Sequence, residues 1–381
     1  MKDIDVINRR PGSRTGRKWK LKALLVTFTT MMGIGVSEQA SIAQLLPGPS
    51  SQITDYALPN VLSGPCEIEF DRRGKAWIEE VVGNAITRYD PSSGQFTRYP
   101  LSQPGALPGG IEIGPDDGIW FPELTANRIT RIDAVTGTSE SYPIPFGQIV
   151  SGTLNIGAAV ATDMAAGPDN GIWFSMSGMG AIGRIDITTK QVEVITLPTP
   201  LSTVSALTQI IQRGPGNLMV ISLAAANKIA TIDVFTRQIK EYTIPTPAAL
   251  PQGVTTDRDG MIWFTETGAQ KFGKLDVNTG QIQEFSILAL RAQIGLQLSL
   301  GNPLPFPGPI RQGSDGKIYF AQGGFEAGNK IGQYDPLTGT YKEFIVPTAA
   351  AGICDINNSQ DGAIWFGEFT GNKIGKLRIT S

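Results

Sequence analysis

QGVTTDRDGMIWFTETGAQKFGKLDVNTGQIQEF, residues 252–285, is the stretch that decides the fold, because variants of it recur along the whole chain. It contains a polar turn (DRDG), a short aromatic segment (IWFTE), and two alternating segments (KFGKL and QIQEF) separated by the turn VNTG. Alternation of apolar and polar residues between such turns indicates β-strands. With the apolar residues before the first turn, the unit predicts four short antiparallel strands.

The repeats align on the aromatic residue of the second strand, which we call the reference position. Successive reference positions are 43, 53, 47, 43, 56 and 46 residues apart. A period in the forties with four strands per unit is typical of β-propeller blades. We therefore predict an all-β fold, a seven-bladed β-propeller of four-stranded blades, in which the reference residue packs between blades. The reference residues are Trp77, Trp120, Trp173, Val220, Trp263, Tyr319 and Trp365.

The two ends of the chain predict how the ring closes. The seventh repeat ends after its third strand, at residues 376–381 (KLRITS). Before the first repeat, residues 53–59 (ITDYALP) resemble the fourth-strand phrases at 241–245 (EYTIP) and 141–145 (SYPIP). We expect this N-terminal strand to pair with the C-terminal blade, so that no strand edge is left unpaired at the junction.

Composition agrees with a turn-rich β protein. The 381 residues include 45 Gly and 26 Pro, only 17% are charged, and no segment has helical periodicity over any length. We expect one propeller domain over residues 53–381, preceded by a linker at 44–52.

Residues 1–43 are predicted to be a secretory signal. A basic stretch to residue 22 precedes the apolar run ALLVTFTTMMGIGV and a small-x-small site at Ser41-Ile42-Ala43; an uncleaved anchor is the alternative. Eight of the 32 Lys and Arg residues lie in this segment. The rest of the chain is acidic, which argues against a nucleic-acid partner. We expect a secreted or periplasmic monomer with no membrane attachment after cleavage.

The only two cysteines, Cys66 and Cys354, lie eleven residues before the reference positions of the first and seventh repeats. Ring closure makes these repeats neighbours, so a disulfide could join them in an oxidising compartment. Two free thiols are the alternative, because first strands of adjacent blades can lie too far apart for a bond. A nucleophilic cysteine is a third reading, although no His is present to activate it.

Two sets of equivalent positions are expected to meet at one mouth of the central channel. The first set starts the first strands and includes Gln209 and Gln252, with Glu67, Asp163 and Asp355 one residue later in other repeats. The second set, three residues after the reference position, includes Glu80, Glu123, Glu266 and Glu368. Clustered carboxylates raise one another's pKa or bind a divalent cation. Alternatively, the glutamates of the second set pair with Lys and Arg of the next strand.

The connections between blades lengthen on the same rim. The longest, residues 286–307 (SILALRAQIGLQLSLGNPLPFP), is apolar, and we expect either a wall over the channel or an ordinary packed loop.

The phrases GPDDGIWFPELTANRITRID (114–133), DRDGMIWFTETG (257–268) and GNKIGKLRI (371–379) resemble the blades of the streptogramin lyase (virginiamycin B lyase) family. The resemblance covers residues 53–381 and implies a seven-bladed propeller. It also implies Mg²⁺-assisted opening of a cyclic depsipeptide by elimination, with a His at the start of a first strand and a Glu at the end of a second strand. The Glu positions are matched by Glu80, Glu123, Glu266 and Glu368, and of these Glu266 and Glu80 are the implied metal ligands. Gln252 stands at the His position, and the chain contains no His.

Three functions are consistent with these patterns. The first is a small-molecule lyase or isomerase that uses carboxylates at the mouth, or that acts mainly by holding the substrate in a reactive pose. The second is a non-catalytic propeller that binds a ligand or a protein. The third is a lactonase-type hydrolase, which requires several carboxylate or Asn ligands around a channel Ca²⁺.

Overall fold

The fold is seven four-stranded antiparallel sheets arranged as the blades of a β-propeller. The computed structural model describes residues 52–145, 160–177, 180–199, 210–296, 305–323 and 328–379. The predicted signal at 1–43, Gln209 and part of the 286–307 connection lie outside the described residues. Among the residues described, no helix is long and apolar enough to cross a bilayer.

The strands follow the chain in order, four to a blade, after the closing strand β1 (Ile53–Ala57). The first three blades consist of β2 (Pro65–Phe70), β3 (Ala76–Glu80), β4 (Ala85–Asp90) and β5 (Gln95–Pro100); β6 (Glu112–Ile113), β7 (Gly118–Glu123), β8 (Arg128–Asp133) and β9 (Ser139–Pro143); and β10 (Val160–Ala166), β11 (Gly171–Ser177), β12 (Ala181–Asp186) and β13 (Val192–Thr196). The fourth and fifth consist of β14 (Ile211–Arg213), β15 (Leu218–Leu223), β16 (Lys228–Asp233) and β17 (Ile239–Thr243); and β18 (Pro251–Thr256), β19 (Ile262–Glu266), β20 (Lys271–Leu275) and β21 (Ile282–Ser286). The last two consist of β22 (Pro307–Gln312), β23 (Ile318–Gln322), β24 (Lys330–Tyr334) and β25 (Tyr341–Ile345); and β26 (Ile353–Asn358), β27 (Ile364–Glu368) and β28 (Lys373–Leu377).

The ring closes as the sequence predicts. Strand β1 pairs antiparallel with β28, with Ile53 opposite Leu377 and Ala57 opposite Lys373. The Tyr56 ring stacks on Trp365, with ring centroids 5.4 Å apart. The seventh sheet therefore has four strands, of which the outermost comes from the start of the domain.

The hydrophobic core is divided among the seven interfaces between neighbouring blades. The reference residue of each blade is buried and packs against the next blade; Trp77, for example, lies with Ile119 and Phe121 of the second blade. Val220 fills the same place with a smaller side chain. Because each sheet buries its faces on its neighbours, every blade depends on the blades beside it.

Among the described residues, one α-helix departs from the all-β expectation. Residues Ile287–Gln293 form a short α-helix, α1, whose first turn is capped by the Ser286 hydroxyl, which accepts a hydrogen bond from the Ala289 amide at 3.3 Å. Its buried residues are Ile287, Leu290 and Arg291. Seven residues are too few for a helical period to stand out in the sequence, which is why it was missed.

The structure joins Cys66 and Cys354 by a disulfide across the junction of the first and seventh blades. Their Cα atoms are 5.3 Å apart, within the range in which a bridge forms without backbone movement. The first strands of these two blades are thus held together both by the packing of neighbouring blades and by a covalent bond.

In the first and fifth blades, the turn before the second strand provides a hydrogen-bond acceptor for the indole of the reference tryptophan. The Nε1 of Trp77 donates to Asp71 at 3.1 Å and that of Trp263 to Asp257 at 2.7 Å, each from six residues upstream. In the seventh blade Ser359 stands at that position, and the buried Nε1 of Trp365 has no hydrogen-bond partner.

Replacing Ser359 with Asp should therefore stabilise the protein. The new carboxylate occupies the position of Asp71 and Asp257 and gives the Trp365 indole an acceptor. We expect the free energy of unfolding to rise by about 1 kcal/mol, as for one buried hydrogen bond. Thermal or denaturant unfolding measures this, and S359N, which carries no charge, is the control. An unchanged or lower stability of S359D would contradict the assigned role of these aspartates.

Candidate functional site

The first strands of the blades lie side by side around the axis, and five of them have a bulge near their start that re-aims adjacent side chains. In β2 the pairing with β3 shifts by one residue between Pro65 and Ile68, so Cys66 and Glu67 form the irregular step. The same shift occurs in β10, β18, β22 and β26. Bulges of this kind re-aim side chains and are common beside active sites.

Three carboxyl groups meet at this mouth. Glu67, Asp163 and Asp355 stand ten residues before the reference positions of the first, third and seventh blades, and all three line one cavity of ≈ 40 Å³, which we call the mouth cavity. Gln252 also lines it, so the structure brings together four of the predicted site residues. The other lining residues are Ile210, Gln212, Gly253, Pro309, Arg311 and Cys354.

Gly110 allows two of these carboxyl groups to approach each other. A Cβ atom at Gly110 would lie 2.8 Å from Oδ1 of Asp163 and 2.9 Å from Oε2 of Glu67. Any larger residue would push the two side chains apart. The second blade, which has no acid at this position, thus provides the space in which its neighbours' acids face each other.

Each of the three carboxyl groups also bridges to the next blade. Glu67 accepts the Ile111 amide at 2.9 Å, and Asp163 accepts the Ile211 amide at 2.7 Å. Asp355 is hydrogen-bonded by the Ile68 amide. These bonds fix the carboxyl groups on rigid strands.

The sequence reasoning missed Arg311, the cation of this cavity. It lies on β22, with Nη2 3.5 Å from Oδ1 of Asp355 and Nη1 donating to the Ile310 carbonyl at 3.0 Å. Arg311 stands eight residues before its reference position, two residues further along the first strand than the positions of Glu67, Asp163 and Asp355. The first and second blades have Glu69 and Glu112 at the position equivalent to Arg311, and we call this set of positions the lower layer. Following the alternation of the first strands by one more step would have found it.

Burial gives these carboxyl groups unusual proton affinities. It raises the pKa of Asp163 to about 7 and that of Asp355 to about 6, the Arg311 charge opposing the shift in both. The pKa of Glu67 is raised well above its usual value by burial and by the charges of Asp163 and Asp355. The cavity therefore contains acids that exchange protons near neutral pH.

The second-strand glutamates lie elsewhere, inside their own blades. Glu80 accepts from Arg98 at 2.9 Å, and Glu123 accepts from Arg128 at 2.6 Å. Glu266 and Glu368 are also fully buried, and none of the four lines the mouth cavity. The structure thus separates the two sets that were expected at one mouth.

The charges around these glutamates follow a rule within each blade. The end of the second strand, the start of the third and the middle of the fourth face one another, and a cation generally accompanies one carboxylate. The combinations are Glu80 with Arg98 in the first blade, Glu123 with Arg128 in the second, and Lys228 with Glu241 in the fourth; in the sixth, Gln322 lies with Arg291, Lys330 and Glu343. In the third blade the equivalent positions hold the apolar residues Met176, Ala181 and Val194, so no charge is present there.

The fifth and seventh blades break the rule by having two carboxyl groups for one lysine. Lys271 lies 3.4 Å from Glu284, and Lys373 lies 3.5 Å from Asp55 of the closing strand. Burial, with the charge of Glu284, raises the pKa of Glu266 to about 8. Burial, with the charge of Asp55, raises that of Glu368 to about 7. Each pair of carboxyl groups therefore retains a proton near neutral pH.

These positions do not fit a resident Mg²⁺. Glu80 and Glu266 belong to different blades, and the Glu80 carboxylate is already bound by Arg98 and Thr87. In the part of the chain that the structure describes, no three Asp, Glu or Cys residues are grouped closely enough to hold a metal ion.

Fold and site together define a seven-bladed β-propeller with a carboxyl-lined cavity at one end of its channel. The family model described as "Virginiamycin B lyase family" matches residues 29–202 and 147–294. The chain belongs to this family.

Solved structures agree. A streptogramin B lyase structure is 27% identical, with a TM-score of 0.72, over 86% of this chain and 97% of its own. A catalytically inactive histidine-to-alanine variant of virginiamycin B lyase from Staphylococcus aureus, solved with quinupristin, is 28% identical, with a TM-score of 0.72, over 86% of this chain and 99% of its own. An extracellular domain of a two-component system from B. thetaiotaomicron is similar in fold alone, at 12% identity and a TM-score of 0.62 over 87% of this chain and 40% of its own. No curated protein matches the chain.

The charge rule predicts that the four second-strand glutamates divide into two classes. At pH 8, E266Q and E368Q should each raise the free energy of unfolding by about 2 kcal/mol, because ionising these buried carboxyls opposes folding. Because the pKa values of Glu266 and Glu368 are raised in the folded state, the free energy of unfolding of the parent protein falls as pH rises from about 4.5 through 7 or 8. The fall over this pH range should be smaller in the two variants.

The matched controls are E80Q and E123Q, which remove a carboxylate from a cation. We expect both to lower stability by about 1 kcal/mol or more at pH 8. Denaturant unfolding at pH 5 and pH 8 measures all four. Equal losses in all four variants would contradict the charge rule.

Proposed function

We propose that this protein is a small-molecule lyase or isomerase whose proton transfers are made by the carboxyl groups of the mouth cavity. The observation that carries the proposal is the presence of three carboxyl groups, with pKa values raised by burial, around one cavity. General acids and bases work best when their pKa lies near the working pH. In most proteins His fills that role, and this chain has none.

The roles follow from the relative acidity of the three groups. Asp355, with a pKa of about 6, is mostly ionised at pH 7 and is the proposed base. Glu67, whose pKa is raised well above its usual value by burial and by the charges of Asp163 and Asp355, is the proposed acid. Two carboxyl groups with separated pKa values are a common way to provide both functions in one site.

The proposed reaction is an elimination that opens a cyclic ester. Asp355 takes the proton from the carbon next to a carbonyl, the electron pair forms a carbon–carbon double bond, and the carbon–oxygen bond breaks. Glu67 gives its proton to the departing oxygen. No water is consumed, so substrate and product have the same mass.

A relative in the same family supports a class of substrate for this chain. The related S. aureus protein was solved with quinupristin, and we propose that a cyclic, natural-product-like molecule binds at the mouth cavity of this chain too. Gln252 and Gln212 offer amide groups there for hydrogen bonds. We also propose an exported monomer, because an acidic domain follows a signal-like segment in the sequence.

A non-catalytic binding propeller is the second candidate. A relative with one histidine replaced by alanine is described as catalytically inactive, and this chain has no histidine at any position. A lactonase-type hydrolase is less well supported, because the described residues offer no group of three acidic or Cys ligands for a channel cation.

Incubation with quinupristin, followed by chromatography and mass spectrometry, tests the proposal. We expect a ring-opened product of unchanged mass, and we expect D355N and E67Q to lower kcat/KM by about 100-fold or more, as for loss of a general acid or base. E193Q, an exposed carboxyl paired with Arg237, is the matched control and should retain full activity.

Each other outcome has a defined meaning. A product heavier by one water would identify a hydrolase. Binding of quinupristin without any product would favour the binding propeller. Turnover that is unchanged in both D355N and E67Q would overturn the assignment of the site.

A further inference from the structure

Among the described residues, the mouth cavity and the layer beneath it contain many more acids than cations. Glu67 and Glu69 project from β2, Glu79 from β3, Glu112 from β6, Asp163 from β10 and Asp355 from β26. Neutral Gln212, Gln252 and Asn357 come from β14, β18 and β26. Arg311 on β22 is the one cation that acts on this group.

We infer that Arg311 is a positioning residue that sets the order in which the channel carboxyl groups ionise, so that Asp355 becomes the base and Glu67 remains the acid. The inference rests on the proposed function for the roles of base and acid. The ordering itself is a property of the folded chain and can be measured without turnover.

Geometry distinguishes Asp355 from the other acids. It lies 3.5 Å from the guanidinium of Arg311, the one ion pair in which Arg311 takes part among the described residues. Glu67 has its nearest fixed partner in the Ile111 amide, on the opposite side of the ring from β22. The guanidinium is always charged and stays planar, so it offers a fixed positive charge close to one acid.

Two of the other acids, Glu69 and Glu79, have neutral partners. Glu69 is hydrogen-bonded by the Asn357 amide, which also donates to the Ile68 carbonyl at 3.2 Å. Glu79 accepts from the Glu67 amide. In the third, fourth and fifth blades the hydroxyls of Ser175, Ser222 and Thr265 accept the equivalent hydrogen bond from a first-strand amide. The first blade therefore has a carboxyl group, Glu79, at a position where other blades have a hydroxyl.

The directions of the pKa shifts agree with this arrangement. After burial, which raises them, the largest influence on the pKa values of Asp355 and Glu69 is the lowering effect of Arg311. For Glu67, the charges of Asp163 and Asp355 follow burial, and both raise its pKa further. Ionisation of Asp355 thus helps Glu67 to keep its proton.

The variants R311Q and R311K test the inference. In protein labelled with ¹³C at the Asp and Glu carboxyl carbons, NMR titration follows each resolved carboxyl, and D355N assigns the signal of Asp355. We expect R311Q to raise the pKa of Asp355 by at least one unit, and R311K, which keeps a charge, to restore most of the parent value. R213Q, an exposed arginine on first strand β14, is the matched control and should change neither signal.

Activity provides the second readout. The acidic limb of the pH profile of kcat/KM should move to higher pH in R311Q and return in R311K, because a base of higher pKa is already protonated at a higher pH. A purely structural role would lower activity at all pH values without moving the limb.

The outcomes separate the inference from the proposed function. A shifted carboxyl titration with no turnover in any variant would uphold the ordering and refute the lyase. An unshifted titration of Asp355 in a folded R311Q would overturn the inference whatever the activity. If R311Q does not fold, R311M, which removes the charge and keeps an unbranched side chain, replaces it: an upward shift of the Asp355 pKa supports the inference, and a pKa identical to that of the parent refutes it.

Discussion

The structure depends on the closure of the ring by strand β1. A four-stranded blade cannot bury both faces of its sheet alone, so each interface exists only while both neighbours are in place. The interface between the seventh and first blades is completed by five residues from the start of the domain, with Tyr56 stacked on Trp365. The Cys66–Cys354 link lies at the same junction, on the channel side. Noncovalent pairing at the outside of the seventh blade and a covalent bond on the channel side join the first and last parts of the propeller.

Closure also places the site. Because the first strands neighbour one another around the axis, side chains from distant parts of the sequence meet at the mouth cavity. Glu67 and Asp355 are 288 residues apart in the chain but come from adjacent blades. Bulges at the starts of these strands turn the carboxyl groups toward the cavity, and amides of the next blade hold them there. The same contacts therefore serve stability and the proposed chemistry, with burial keeping several carboxyl groups protonated at a cost to stability above neutral pH.

Much of the fold could be predicted from the sequence, because a repeated phrase carries its own alignment. The reference positions, the number of blades and the identity of the closing strand are all local patterns, and the structure confirms them. The convergence of Glu67, Asp163 and Asp355 followed from their equivalent positions. The partners of Glu80 and Glu266 could not be predicted in the same way, because a fourth-strand residue such as Arg98 or Glu284 decides whether such a glutamate is neutralised or shares a proton. Arg311 was missed because no other blade has a cation at the equivalent position, so the repeat gives no pattern that points to it.

Hydrogen exchange of the full chain, followed by mass spectrometry, tests the closure most directly. If β1 completes the seventh blade, the amides of Ile53–Ala57 that bond to β28 should exchange as slowly as those of an ordinary fourth strand such as β17, and Y56A should speed exchange in both β1 and β28 together. Immediate exchange of residues 53–57 while Lys373–Leu377 stays protected would contradict the closed ring, and with it the placement of the mouth cavity.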